Sequence, residues 1–247
     1  KIFGKNCMRF QDVPILIKFI DAKENLSVQV HPSDAYALKN EGQYGKTEMW
    51  YVVECEENAS LYYGFSKKVG KEEFLQRLEE NTILEVLNKV PVKKGDVFFI
   101  EAGVVHAIGK GIVIAEIQQN SNLTYRVYDY GRIGKDGQPR ELHVEKALEV
   151  MNREPMAAGK SFEPHLGACE YFTVDKVSLD GKFTKKMNGT VEEDTFLHVL
   201  VVEGNGKIRN AQEVWFEKGD SILITAGSGE FEVEGDCQVL LTTIPSI

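Results

Sequence analysis

Apolar and polar side chains alternate through Leu26-Ser27-Val28-Gln29-Val30-His31, the period of a strand with one face on a core. Upstream, residues 13–20 are strongly apolar and read as a buried strand. Ser33 or Asp34 can N-cap a short helix over 35–38. Residues 48–54 and 59–65 read as strands around the polar turn Glu56-Glu57-Asn58. Two short amphipathic helices are expected at 71–78 and 83–87. Strands follow at 97–100 and 112–118, an extended segment at 123–129 and a turn at Gly134-Lys135-Asp136-Gly137. Residues 143–151 have helical spacing through Val144, Ala147, Leu148 and Met151. From Glu163 onward short strands dominate, with turns expected at Asp180-Gly181, Asn188-Gly189, Gly204-Asn205-Gly206 and Gly227-Ser228-Gly229. Many short strands at close spacing predict a mainly β protein, barrel or sandwich, with short inserted helices.

The pattern repeats within the chain. The run from Lys94 to Gly103 aligns without gaps to the run from Lys218 to Gly227, and Val52-Val53-Glu54 echoes Val201-Val202-Glu203. Two related β units are therefore expected. In the second, Leu197 stands at the position of Glu48 and Glu230 at that of His106. Any chemistry of those residues belongs to the first unit, and the second reads as structural.

Composition narrows the class. With 247 residues, 43% of them hydrophobic, the chain can bury a large core. A net charge of −9 argues against a nucleic-acid binder, though a few local cations can still hold one small phosphate. Cys7, Cys55, Cys169 and Cys237 form no CxxC pair and fit free thiols of a cytoplasmic protein. No apolar run approaches the roughly 18 residues of a membrane helix. Oligomeric state is not readable from the sequence.

Gln29 and His31, two apart in a strand, share a face. Glu48 and His106 can join them in a mixed set of amide oxygen, carboxylate oxygen and two imidazoles. Such a set suits a catalytic divalent metal, zinc first. His143, His165 and His198 have no partner in register and are not expected as ligands; Trp50, Tyr51 and Tyr125 read as wall or core.

The stretch Gly95-x5-Glu101-x-Gly103-x2-His106 resembles the second motif of the cupin superfamily, departing from it at Glu101 and Lys110. More specifically, residues 26–32 and 45–51, with 102–108 and 116–126, resemble the type I mannose-6-phosphate isomerase family in its shorter bacterial form. The likeness runs from about residue 14 to 132 and continues more weakly beyond. It implies a cupin-like double-unit jelly roll. Residues 1–142 would form the metal-bearing unit, with a helical insertion at about 67–90, and residues 143–247 a connecting helix and a degenerate second unit. Relatives carry a further segment before the position of Lys1, which leaves room for N-terminal strands outside this sequence.

The resemblance further implies one Zn2+ per chain held by Gln29, His31, Glu48 and His106. It makes Arg126 catalytic, puts Ser27 and Lys46 near a bound sugar phosphate, and matches Glu116 to an acid of the site. Asn122 stands where many relatives have aspartate, so a carboxylate role fails there. The implied reaction interconverts mannose 6-phosphate and fructose 6-phosphate through an enediol. That reaction needs a base for the proton at C2 and a cation for the developing oxyanion. Lys46 and Glu116 are rival bases, and the apolar residues on both faces of 112–118 leave the direction of Glu116 open. Two other readings stand beside this one: a metal-dependent cupin oxygenase, and a non-catalytic sugar-phosphate-binding cupin.

Overall fold

The computed structural model describes residues 2–134, 137–156 and 160–246. The turn expected at 134–137 lies partly outside them. The chain is mainly β and forms two compact units, one of Ile17–Gly159 and one of Lys1–Leu16 with Lys160–Ile247. This division differs from a cut between residues 142 and 143 in two places. The N-terminal 3-10 turn Lys5–Arg9 joins the second unit, where Asn6 Nδ2 donates to the Ile244 carbonyl at 2.8 Å. The helix at 144–150 joins the first unit, because Ala147 and Met151 pack with Val28, Val30 and Tyr125.

The first unit holds two sheets. Their strands are β1 (Ile15–Ala22), β2 (Val28–Val30), β3 (Glu48–Cys55), β4 (Ser60–Phe65), β5 (Leu87–Pro91), β6 (Val97–Ile100), β7 (His106–Ala107), β8 (Ile112–Gln119) and β9 (Tyr125–Tyr128). One sheet has the order β1-β8-β3-β6 and the other β5-β4-β7-β2-β9. Trp50, Val52, Ile112 and Ile114 from the first sheet share a core with Leu61 and Tyr63 from the second, so apolar side chains fill the space between them. A second core covers the outer face of the five-stranded sheet. There Val28, Val30, Ala107, Tyr125 and Val127 meet Phe74 of α2 (Lys71–Glu79) and Ala147 of α3 (Val144–Val150). The alternation read in the sequence explains the geometry. Val28 and Val30 face the helices, which turns Gln29 inward between the sheets.

A short helix, α1 (Asp34–Asn40), follows His31 as expected, with Ser33 at its N-cap but no side-chain cap. The Asp34 carboxylate points elsewhere: its Oδ1 accepts the Gly45 N–H at 2.7 Å and the Gln119 amide at 2.9 Å.

The second unit is one seven-stranded antiparallel sheet: β10 (Gly167–Ala168), β11 (Thr173–Asp180), β12 (Lys186–Val191), β13 (Leu197–Arg209), β14 (Glu213–Glu217), β15 (Ser221–Ile224) and β16 (Gly229–Thr243). Two expected turns are strand interior instead. Asn188-Gly189 lies within β12 and Gly204-Asn205-Gly206 within β13. The glycines there serve close approach: a Cβ on Gly204 would stand 2.0 Å from the Asp236 carbonyl oxygen. The internal repeat is structural as well as sequential. Glu48 opposes Ile100 as Leu197 opposes Ile224, and both long strands shift register at the echoed position, between Val52 and Glu54 and between Val201 and Glu203. The preceding turns share a side-chain clasp, Asp96 Oδ2 on the Lys93 N–H (2.9 Å) and Asp220 Oδ2 on the Glu217 N–H (2.8 Å). Leu197, in place of a glutamate, joins an apolar core with Val199, Val201 and Phe231.

Candidate metal centre

Three strands of the first unit bring the four candidate ligands together. β2 carries Gln29, and His31 lies one residue beyond its end. Glu48 opens β3, and His106 opens β7, directly opposite Gln29. His31, Glu48 and His106 are at most 1% exposed, and a ligand atom from each lies within 4.8 Å of the others. Gln29 Nε2 is 3.3 Å from His106 Nε2. The other orientation of that carboxamide presents its oxygen at the same place.

Each imidazole is aimed by a main-chain carbonyl. His31 Nδ1 bonds the Leu123 oxygen at 2.9 Å and His106 Nδ1 the Val104 oxygen at 2.8 Å. A carbonyl only accepts, so each Nδ1 carries the proton and each Nε2 presents a lone pair. Those lone pairs face a carboxylate, with His106 Nε2 3.2 Å from Glu48 Oε1 and His31 Nε2 3.6 Å from Glu48 Oε2. Burial holds both imidazoles neutral, pushing His31 down and His106 down to about 3. Burial, the largest single influence, would raise the Glu48 carboxyl, but Lys46 Nζ at 2.9 Å together with His31 and His106 outweighs it and keeps that group well below the usual carboxylate range. His31 Nε2 and Glu48 Oε1 are buried and, among the described residues, have no hydrogen-bond partner. Convergent lone pairs around an anion, with no proton to share, fit a bound cation.

Lys46 is itself buried and sits 4.0 Å from Glu116 Oε1. Its loop is pinned: the Lys46 N–H donates to the Pro32 carbonyl at 3.0 Å and the Thr47 N–H to Gln119 Oε1 at 2.7 Å. Gly45 is required there, because a Cβ would stand 2.4 Å from the Ser33 carbonyl carbon. Glu116 points between the sheets, on the face of Ile112 and Ile114 that packs with Trp50. Trp50 Nε1 donates to its Oε2 at 3.0 Å and Lys18 Nζ to its Oε1 at 3.1 Å. Burial, then the charge of Glu48, raises the Glu116 carboxyl against the pull of Lys46 and Lys18.

Arg126 is the cross-strand partner of Gln29, and Ser27 lies beside them. The guanidinium donates to the Ser27 hydroxyl at 3.3 Å and the Glu141 carbonyl at 3.0 Å. It does not pair with Asp129, whose carboxylate is held instead by Arg132 and Arg140. Nothing in the sequence marks Lys18 as a residue of the site. It is a single lysine in an apolar strand, and its partner Glu116 is 98 positions away.

Two sheets with short helices and a buried, polar, inward-facing cluster define a cupin with a candidate metal centre. The family described as mannose-6-phosphate isomerase, cupin domain, matches residues 163–244. Mannose-6-phosphate isomerase ManA of Bacillus subtilis (strain 168) is 40% identical over 241 residues, which cover 93% of this chain and 74% of that protein. The mannose-6-phosphate isomerase of Streptococcus mutans is 39% identical over 236 residues, covering 92% and 73%. The crystal structure of the Bacillus subtilis mannose 6-phosphate isomerase matches with a TM-score of 0.83 at 34% identity, over 93% of this chain and 74% of that one. A mannose 6-phosphate isomerase solved with zinc and yttrium shares the fold, with a TM-score of 0.74 at 16% identity over 99% and 83%. The chain belongs to the mannose-6-phosphate isomerase family. Among the described residues, no helix is long and apolar enough to cross a membrane.

Proposed function

We propose that the chain is a zinc-dependent isomerase that interconverts mannose 6-phosphate and fructose 6-phosphate through an enediol. The relatives' names support the reaction. The observation that carries the metal is the pair of lone-pair-bearing Nε2 atoms facing the Glu48 carboxylate. Gln29, His31, Glu48 and His106 would hold one zinc ion, and one carboxylate among neutral ligands leaves the centre a net charge of about +1. Bound there, zinc supplies Lewis acidity toward a substrate oxygen.

The chain's own residues do the rest. Glu116 and Lys46 form the proton-transfer pair: one takes the proton from C2 and returns it to C1. Raising the Glu116 carboxyl suits it to a proton that must come and go at neutral pH. Lys18 and Trp50 fix its two oxygens. Arg126 offers its remaining donors to the oxyanion of the enediolate, and Ser27 orients the guanidinium. Ser27, Lys46 and Arg126 would contact the sugar phosphate. A coupled assay on zinc-loaded protein tests the reading. Conversion of mannose 6-phosphate to fructose 6-phosphate is expected. Binding of the sugar phosphate without conversion would leave a non-catalytic cupin.

A further inference from the structure

β9 is the outermost strand of the five-stranded sheet, so one side of its backbone faces away from β2. An open edge leaves main-chain groups without ladder partners and lets a strand fray. At Arg126 that edge is closed by one residue. The His143 N–H donates to the Arg126 carbonyl at 2.7 Å, and the Arg126 N–H donates to His143 Nδ1 at 3.3 Å. Backbone and side chain of His143 thus supply the two bonds that a neighbouring strand would have made. Accepting at Nδ1 puts the ring proton on Nε2, which lies 3.8 Å from Glu141 Oε2. Glu141 also receives the Arg126 guanidinium on its carbonyl, so residues 141 and 143 bracket Arg126 at both ends of its side chain.

The clasp stands on a firm support. His143 is the N-cap of α3, and its carbonyl accepts the Ala147 N–H at 2.9 Å. Its ring lies 6.1 Å from that of Tyr125, the residue before Arg126. The Tyr125 hydroxyl donates to Glu41, which also takes Lys146 of α3, each at 2.7 Å. The strand end is therefore fastened to α3 on either side of the Tyr125–Arg126 peptide.

We propose that His143 is a positioning residue for Arg126: by closing the sheet edge at that residue it fixes where the guanidinium stands relative to the metal centre. This rests on the isomerase reading, in which Arg126 acts on the substrate. The Nδ1 bond can be removed alone, because the main-chain N–H of residue 143 survives every substitution except proline. His143→Phe keeps a ring without an acceptor. His143→Asn places an oxygen where Nδ1 stood, and His143→Gln places one nearer the Nε2 position.

The experiment measures amide exchange at Arg126, steady-state kinetics with mannose 6-phosphate and metal content in all four proteins. In His143→Phe, exchange at the Arg126 N–H is expected to rise and kcat to fall, each by about tenfold, the scale of one hydrogen bond. Metal content should stay near wild type. His143→Asn should restore both quantities and His143→Gln neither. Equal loss in the Phe and Asn variants, or a wild-type exchange rate in His143→Phe, overturns the proposal. Absence of turnover in the wild-type chain would sink the isomerase reading, while the exchange comparison would still decide whether His143 holds Arg126.

Discussion

His106 Nε2 faces Glu48 Oε1 across 3.2 Å, and both atoms are acceptors. Their approach is repulsive unless a cation lies between them, because both are fully buried and the low local dielectric leaves the repulsion unscreened. The charge on Glu48 should therefore set the metal affinity. Glu48→Gln keeps the shape and removes the anion. Its affinity for zinc should fall by more than the roughly 10–100-fold that losing an outer hydrogen-bond partner costs. Competition with a chromogenic chelator measures it, and unchanged affinity would mean that Glu48 is no ligand.

In the proposed mechanism Arg126 contributes charge without belonging to the candidate metal set. In Arg126→Ala the protein should keep its metal while kcat falls by about a hundredfold or more, the scale of losing one charge-stabilising donor. Metal analysis beside kinetics reads both. An unchanged kcat would reduce Arg126 to a structural residue bonded to Ser27 and Glu141.

Trp50 is more than a wall. Its indole N–H bonds the buried Glu116 carboxylate, as the Lys18 ammonium does. Trp50→Phe leaves Glu116 Oε2 without that donor and should cost about 1–3 kcal/mol beyond the lost packing. A double-mutant cycle with Glu116→Leu separates the bond from the cavity. A coupling energy near zero would show that the contact is idle.

In the second unit, His198 is 8% exposed and bonded to the Ser221 hydroxyl, and burial pushes its imidazole down from 6.5 to about 4. Above about pH 6.5 the ring is neutral in the folded and unfolded chain alike. As pH falls from 6.5 toward 4, the unfolded chain takes up a proton that the folded chain refuses, so stability drops, by at most about 3 kcal/mol. Denaturant unfolding at pH 7 and pH 4.5 should show a smaller acid loss in His198→Gln than in the wild type. Parallel losses in the two proteins would assign the pH dependence to other groups.

The candidate metal cluster was legible because its spacing reflects strand geometry: alternation in β2 puts Gln29 and His31 on the face away from Val28 and Val30. Glu116 was legible as a candidate but not in direction, since apolar residues line both faces of β8 and only packing with Trp50 distinguishes them. Lys18 could not be found, because nothing in an apolar strand marks one lysine as the partner of a carboxylate 98 positions on. The glycines of β12 and β13 misled for a related reason. Glycine marks both a turn and a close backbone approach, and the crowding around Gly204 depends on a strand that the local sequence does not reveal.

The most direct measurement is elemental analysis of the purified protein and of His106→Ala, with mannose 6-phosphate turnover recorded on the same samples. The expected result is one zinc ion per wild-type chain, and loss of both metal and turnover in the variant. A metal-free His106→Ala protein that still converts mannose 6-phosphate at the wild-type rate would contradict the assignment.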